Sequence, residues 1–281
     1  MSGWLPASPC TPPGCAIHEG SARHPLPAAA LLLAGCVLTL TGVLCTPLAL
    51  LLGRACRERL TQGWAHGVVR AFGVRVRVVG RPYAHRGGPG VLVVANHVSW
   101  LDIPLVAAVC PGRMLAKSDI RHWPLLGLLA ALGKTLFVER ERLRALPATV
   151  QAIASALRGG ARVVVFPEGS TWCGRGPGGR FRPAAFQAAI DAGAAVQPVR
   201  VRYHGAPAGS RSPAGAAAFV GDDPLAASLW RVVRAAGLTA EIHVMPPIPA
   251  GSAHGRRALA RLAQSTVASD RANLPAESVH H

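Results

Sequence analysis

From Leu26 to Gly53 the chain carries no charged residue. At about 1.5 Å per helical residue such a segment outruns the roughly 30 Å of a bilayer's hydrocarbon core, so residues 26–53 read as a membrane anchor helix. Two complete crossings need roughly 40 apolar residues, more than the segment has. Pro47 near its far end leaves a bent, re-entrant segment as another form of the same anchor. Arg54, Arg57 and Arg59 follow closely, whereas Arg23 alone precedes it, and this asymmetry predicts a cytoplasmic C-terminal part on the cell (inner) membrane. Leu33-Ala34-Gly35-Cys36 looks like a lipoprotein cleavage box, but a mature lipoprotein begins with a polar tether, and here apolar sequence continues to Leu52.

The rest of the chain divides around that anchor. Residues 1–25, rich in Pro, Gly and Ser without an apolar period, predict a disordered leader, and the polar residues 270–281 a disordered tail. Between them, 54–269 read as one domain in which short β-branched runs alternate with Ala/Leu-rich stretches. This is the pattern of an α/β fold with helices packed on a sheet. Strands are expected over 74–80, 91–95, 113–117, 135–139, 162–166, 196–203 and 240–245. Helices are expected over 57–72, 99–110, 122–132, 142–159, 183–193, 224–236 and 255–268. The glycine-rich stretch 171–182 and residues 205–216 read as loops.

Lys and Arg exceed Asp and Glu by 17, a balance that draws a protein toward polyanions: lipid headgroups, an acidic carrier protein or nucleic acid. No nucleic-acid reader module accompanies the charge, so nucleic acid is not an expected partner. The seven cysteines, at 10, 15, 36, 45, 56, 110 and 173, form no Cys-x-x-Cys pair and no His/Cys spacing suited to zinc. They read as reduced thiols with no metal and no disulfide framework.

The chemistry-bearing residues follow the most strand-like run. Val91-Leu92-Val93-Val94-Ala95 has a buried-strand signature and delivers Asn96 and His97 at its carboxyl end, the edge where α/β sheets gather their active sites. Ser99-x-x-Asp102 has the form of a capping box at the start of the next helix. A carboxylate that holds one imidazole nitrogen fixes the tautomer and frees the other nitrogen to accept a proton, which gives His97 and Asp102 a second, chemical reason to be together. No Gly-x-Ser-x-Gly elbow offers a covalent nucleophile, so a hydroxyl on the substrate is the natural proton donor.

Four ordered blocks extend this pair. They are Asn96-His97-Val98-Ser99-Trp100-Leu101-Asp102, then Gly133 to Arg140, then Phe166-Pro167-Glu168-Gly169-Ser170, then Val196-Gln197-Pro198-Val199. In order and spacing they resemble the glycerolipid acyltransferases related to 1-acylglycerol-3-phosphate (lysophosphatidate) acyltransferase. The second block has one extra residue between its Gly and Phe. The segment Leu115 to Ile120 is also similar to that family's Ala-Lys-x-Glu-Leu stretch, with Asp119 in place of Glu.

The resemblance implies a mixed, largely parallel sheet flanked by helices, and it implies roles. His97 would be general base on the acceptor's hydroxyl, with Asp102 orienting its ring. Arg140 would hold the acceptor's phosphate. Glu168 would accept from a glycerol hydroxyl and Gly169 would let backbone approach closely. Asn96, Ser99, Phe166, Pro167, Ser170 and Lys117 would complete the substrate site. The donor would be acyl-CoA or acyl carrier protein, the acceptor lysophosphatidate, and no cofactor would be needed. Where the family often carries Arg after the third block's Ser/Thr, this chain has Thr171-Trp172-Cys173, which keeps another lyso-lipid such as lyso-ornithine lipid open as acceptor. Two other classes compete: a thioesterase or esterase that activates water through His97, and a non-enzymatic basic protein that binds membranes.

Overall fold

The computed structural model describes residues 8–18, 20–83, 87–122, 127, 130, 133–139, 142–176, 178–205 and 214–269. Their strands form one sheet: β1 (Arg75–Val79), β2 (Val91–Ala95), β3 (Arg113–Lys117), β4 (Leu136–Val138), β5 (Arg162–Val165), β6 (Ala195–His204) and β7 (Thr239–Val244). The order is β1-β7-β6-β2-β5-β3-β4. Every neighbouring pair is parallel except β6 with β7, which run antiparallel. This is the mixed, largely parallel sheet that the sequence led us to expect.

β2 lies near the middle, pairing with β6 from Val91↔Ala195 to Ala95↔Val199 and with β5 from Val91↔Arg162 to Val94↔Val165. Buried on both faces, all five of its residues are apolar, as a central parallel strand requires. The seven strands match their expected positions to within a residue or two at each end.

Among the described residues, the helices of eight residues or more are α1 (Pro25–Leu50), α2 (Arg54–Ala71), α3 (Asp102–Val109), α4 (Leu146–Arg158), α5 (Ala184–Ala192), α6 (Leu225–Arg234) and α7 (Gly255–Ala268). Alternate residues of β2 divide the core. Val91, Val93 and Ala95 pack with Val69 of α2, with Phe72 just after it, and with Leu105 and Val106 of α3. Leu92 and Val94 pack with Ile153 and Leu157 of α4, Phe186 of α5 and Leu259 of α7. The expected helix over 122–132 falls largely outside the described residues.

The apolar segment forms one 26-residue helix, α1, long and apolar enough to cross a membrane. It does not project from the domain. Gly35 lies against the Phe72 ring and Gly42 against Trp64, where a Cβ would come within 2.5 Å and 2.1 Å of ring atoms, so glycine is what lets α1 lie this close to α2. The Trp64 indole donates to the Leu38 carbonyl at 2.9 Å. Arg54, at the start of α2, reaches the Gly160 carbonyl beside β5 at 3.0 Å. The opposite face of α1 exposes Leu26, Leu33, Val37, Leu44 and Leu48.

The leader departs from expectation. Residues 8–18 and 20–25 pack on the domain instead of forming a disordered segment. Arg23, read from sequence as a flanking charge, donates to the carbonyls of Val233, Ala235 and Gly73 at 2.6 to 2.8 Å. These are backbone groups that lack strand partners at the end of α6 and the start of β1, so a guanidinium with five donors satisfies three of them at once. The chain before α1 and the chain after α2 therefore meet on the same side of the helical pair.

Candidate active site

The site forms where β2 ends. Asn96, which the resemblance placed in the substrate site, borders the cavity described below. Its amide accepts from Val201 N–H at 2.8 Å and donates to Val201 C=O at 2.9 Å, clasping the end of β2 to β6. The next residue, His97, is thereby held at the edge of the sheet, and its ring stacks on Phe166 from the end of β5 with centroids 4.2 Å apart.

Asp102, fully buried in the first turn of α3, gathers four donors. Its Oδ2 lies 2.8 Å from His97 Nδ1 and accepts the backbone N–H groups of Val98 at 2.6 Å and Ser99 at 2.8 Å. Its Oδ1 accepts the Tyr203 hydroxyl at 2.6 Å. The capping reading and the chemical reading of this aspartate are therefore both right: one oxygen ties back the backbone ahead of the helix and also fixes the imidazole. The partner expected of Ser99 differs, since its hydroxyl accepts from Leu101 N–H at 3.3 Å and does no capping of α3. Burial, then the adjacent Asp102 charge, raise the Tyr203 pKa well above its ordinary value, so the phenol stays a neutral donor.

With Asp102 on Nδ1, the imidazole presents Nε2 as its acceptor. His97 borders a cavity of about 270 Å³, whose walls include Glu168, Trp172, Arg175, Arg200 and Arg202. That geometry can take a proton from a hydroxyl bound beside cationic side chains.

The comparisons with known proteins agree with this chemistry. A family model described as Acyltransferase matches residues 75–202. A lyso-ornithine lipid O-acyltransferase from Pseudomonas aeruginosa is 37% identical over 215 residues, covering 75% of this chain and 78% of that protein. The chain belongs to the acyltransferase family. A 1-acyl-sn-glycerol-3-phosphate acyltransferase from Neisseria meningitidis is 38% identical over 205 residues, 72% of this chain and 77% of that protein. The crystal structure of the 1-acyl-sn-glycerophosphate (LPA) acyltransferase PlsC from Thermotoga maritima shares the fold. Its TM-score is 0.63 at 19% identity, over 86% of this chain and 94% of that one.

Within this acyltransferase the third block borders the cavity and also ties the loops around it together. Glu168 is buried and turned inward: Oε2 accepts His97 N–H at 2.7 Å and Oε1 accepts Gly179 N–H at 3.0 Å. Both oxygens accept from backbone, so the carboxyl group ties the segment that carries His97 to the loop that faces it. A Cβ at Gly178, where φ is +74°, would stand 2.5 Å from Glu168 Oε1, so only glycine allows the loop to wrap this carboxylate. Burial, and to a smaller extent the Asp102 charge, push the Glu168 pKa up to about 7 against the pull of its two amide donors.

The remaining expected site residues are spread out. Gly169 takes the left-handed φ of +76° that the turn after β5 needs. Pro167 is buried with its carbonyl accepting from Arg182 N–H at 2.9 Å. The Ser170 hydroxyl is buried without a hydrogen-bond partner among the described residues. Lys117 ends β3 in an ion pair with Asp119 and does not line the cavity described above. Arg140 lies outside the described residues. Sequence reasoning did not single out Tyr203, Arg200 or Arg202 as site residues: a strand over 196–203 was legible, but nothing local marks which of its later residues border the cavity.

Proposed function

We propose that this acyltransferase moves a fatty acyl chain from a thioester donor, acyl-CoA or acyl carrier protein, to the free hydroxyl of 1-acylglycerol-3-phosphate, making phosphatidate. The observation that carries the reading is the 2.8 Å contact of His97 Nδ1 with Asp102 on the rim of a cavity lined by Arg175, Arg200 and Arg202. His97 Nε2 takes the hydroxyl proton as the oxygen attacks the thioester carbonyl. The tetrahedral intermediate collapses with loss of thiolate, to which the imidazolium returns the proton. Planar guanidinium forks suit a phosphate, with charge and geometry both matched. No cofactor enters this scheme.

A second acceptor is favoured by a specific observation. The relative from Pseudomonas aeruginosa carries the name lyso-ornithine lipid O-acyltransferase, and here Thr171-Trp172-Cys173 stands where the family often has a further Arg. A lyso-ornithine lipid presents a carboxylate to the same guanidinium groups. In either case the exposed leucines of α1 enter the cytoplasmic leaflet of the inner membrane while Arg54, Arg57 and Arg59 meet anionic headgroups. Because α1 lies along α2, this anchor sits in the interface and holds the cavity near its insoluble substrates.

The test is acyl transfer by membranes carrying the wild type or His97→Ala, with lysophosphatidate and lyso-ornithine lipid as acceptors and both thioester donors. The expected result is transfer that favours lysophosphatidate and falls by at least 10²-fold, roughly the contribution of general base catalysis, in His97→Ala. Undiminished transfer by that variant refutes the mechanism. Free fatty acid released at the same rate with and without acceptor makes the enzyme a thioesterase.

A further inference from the structure

Two cysteines of the leader and a third from far along the chain converge beside the cavity. The sulfur atoms of Cys10, Cys15 and Cys173 all lie within 4.8 Å of one another. Cys10 and Cys15 come from the leader, Cys10 just before Thr11 and Cys15 as the last residue of the helical turn Pro12–Cys15, which is closed by Cys15 N–H donating to Thr11 C=O at 3.0 Å. Cys173 is buried and comes from the loop after the Glu168-Gly169 turn, next to Trp172, whose backbone N–H donates to the His97 carbonyl at 2.8 Å. The three rest on an apolar bed of Ala218 and Val220. The leader's seat is close-fitting: at Gly215 a Cβ would stand 2.6 Å from the Cys15 carbonyl oxygen and 2.4 Å from that of Ile17.

We propose that Cys10, Cys15 and Cys173 bind a soft d¹⁰ cation, Zn²⁺, through three thiolates. Thiolate sulfur is the ligand such cations prefer, and Zn–S bonds of about 2.3 Å set sulfur–sulfur separations near 3.8 Å in a tetrahedron. Separations within 4.8 Å reach that geometry by small side-chain rotations. Cys10 and Cys15 are half-buried, which leaves the fourth position to water. Binding forms three metal–sulfur bonds, releases three thiol protons to solvent and changes no oxidation state.

A disulfide accounts for the arrangement less well, because any pairing leaves a third thiol beside it. The other four cysteines supply a built-in contrast: Cys36, Cys45 and Cys56 lie on α1 and α2, and Cys110 is buried after α3. The bound ion would tie the segment just ahead of the membrane helix to the loop that meets His97, joining membrane anchoring to the shape of the cavity. The spacing of Cys10 and Cys15 alone gives no such sign, since their third partner comes from 158 positions further along the chain.

The experiment uses the full chain, purified in detergent with reducing agent and stripped of metal, then titrated with Zn²⁺ against a chromogenic chelator and with Co²⁺ by absorption spectroscopy. We expect one ion per chain and a thiolate-to-cobalt charge-transfer band. Binding should weaken in Cys10→Ser, Cys15→Ser or Cys173→Ser by more than the roughly 10- to 100-fold typical of changes around, but outside, a ligand set. A variant with serine at 36, 45, 56 and 110 should bind as the wild type does. Hydrogen exchange should slow on Zn²⁺ addition in residues 8–18 and 171–176, a readout independent of activity and of acceptor identity. The proposal is overturned by zero stoichiometry with all seven thiols free, by unchanged binding in the triple variant at 10, 15 and 173, or by a disulfide within the trio in protein kept reduced.

Discussion

Tyr203→Phe isolates one contact of the proposed catalytic pair, His97 and Asp102. The substitution keeps the ring, which is buried in β6, and removes only the hydroxyl that donates to Asp102 Oδ1 at 2.6 Å. Hydrogen bonds to charged groups contribute about 1.5–3 kcal/mol, and here the loss leaves a carboxylate oxygen in the interior without its donor. For a domain of this size that corresponds to a melting temperature lower by about 3–12 °C. Catalysis should suffer less. Oδ2 keeps His97 Nδ1 and the amides of Val98 and Ser99, so the ring stays aimed and kcat should fall by about tenfold or less, some 1.4 kcal/mol. Thermal melts in detergent and steady-state acyl transfer on the same preparation measure both. A variant with unchanged melting temperature and kcat refutes the argument that the phenol holds the carboxylate. A fall in kcat beyond 10³-fold with native stability would instead give Tyr203 a direct part in the chemistry.

Three further outcomes are expected. Glu168 has a pKa of about 7 in the folded protein against 4.5 ordinarily, so the folded state holds the proton more tightly, and that contribution is present below pH 4.5 and lost as pH rises through 7. Relative to Glu168→Gln, the wild type should lose about 3 kcal/mol of stability across that window, and parallel denaturation curves from pH 4.5 to 8 would contradict this. Asn96→Ala removes both bonds between β2 and Val201 and should cost about 2 kcal/mol in denaturant unfolding, with kcat reduced because His97 is the next residue. Gly42→Leu drives a side chain into Trp64 and should destabilise the α1–α2 pair by about 1–3 kcal/mol; a melting temperature equal to that of the wild type would show that the helices do not pack this closely.

What sequence alone determined was everything governed by local pattern. Strand and helix positions follow from hydrophobic periodicity, and β2 was identifiable because a strand buried on both faces must be apolar throughout. His97 and Asp102 were legible as a pair because only four residues separate them, and the four ordered blocks led to the acyltransferase family. Tertiary structure decided what depends on contacts across the chain. Tyr203 lies 101 residues beyond Asp102 and supplies a donor that only the β2–β6 pairing brings within reach. Glu168 borders the cavity, and only the fold shows that its two oxygens also accept the amides of His97 and Gly179. The leader, polar enough to read as disordered, is held by Arg23 on carbonyls that exist as partners only once α6 and β1 are in place. The same folding of the leader onto the domain assembles Cys10, Cys15 and Cys173, because proximity between distant residues is a property of the packed chain and leaves no periodic trace in the sequence.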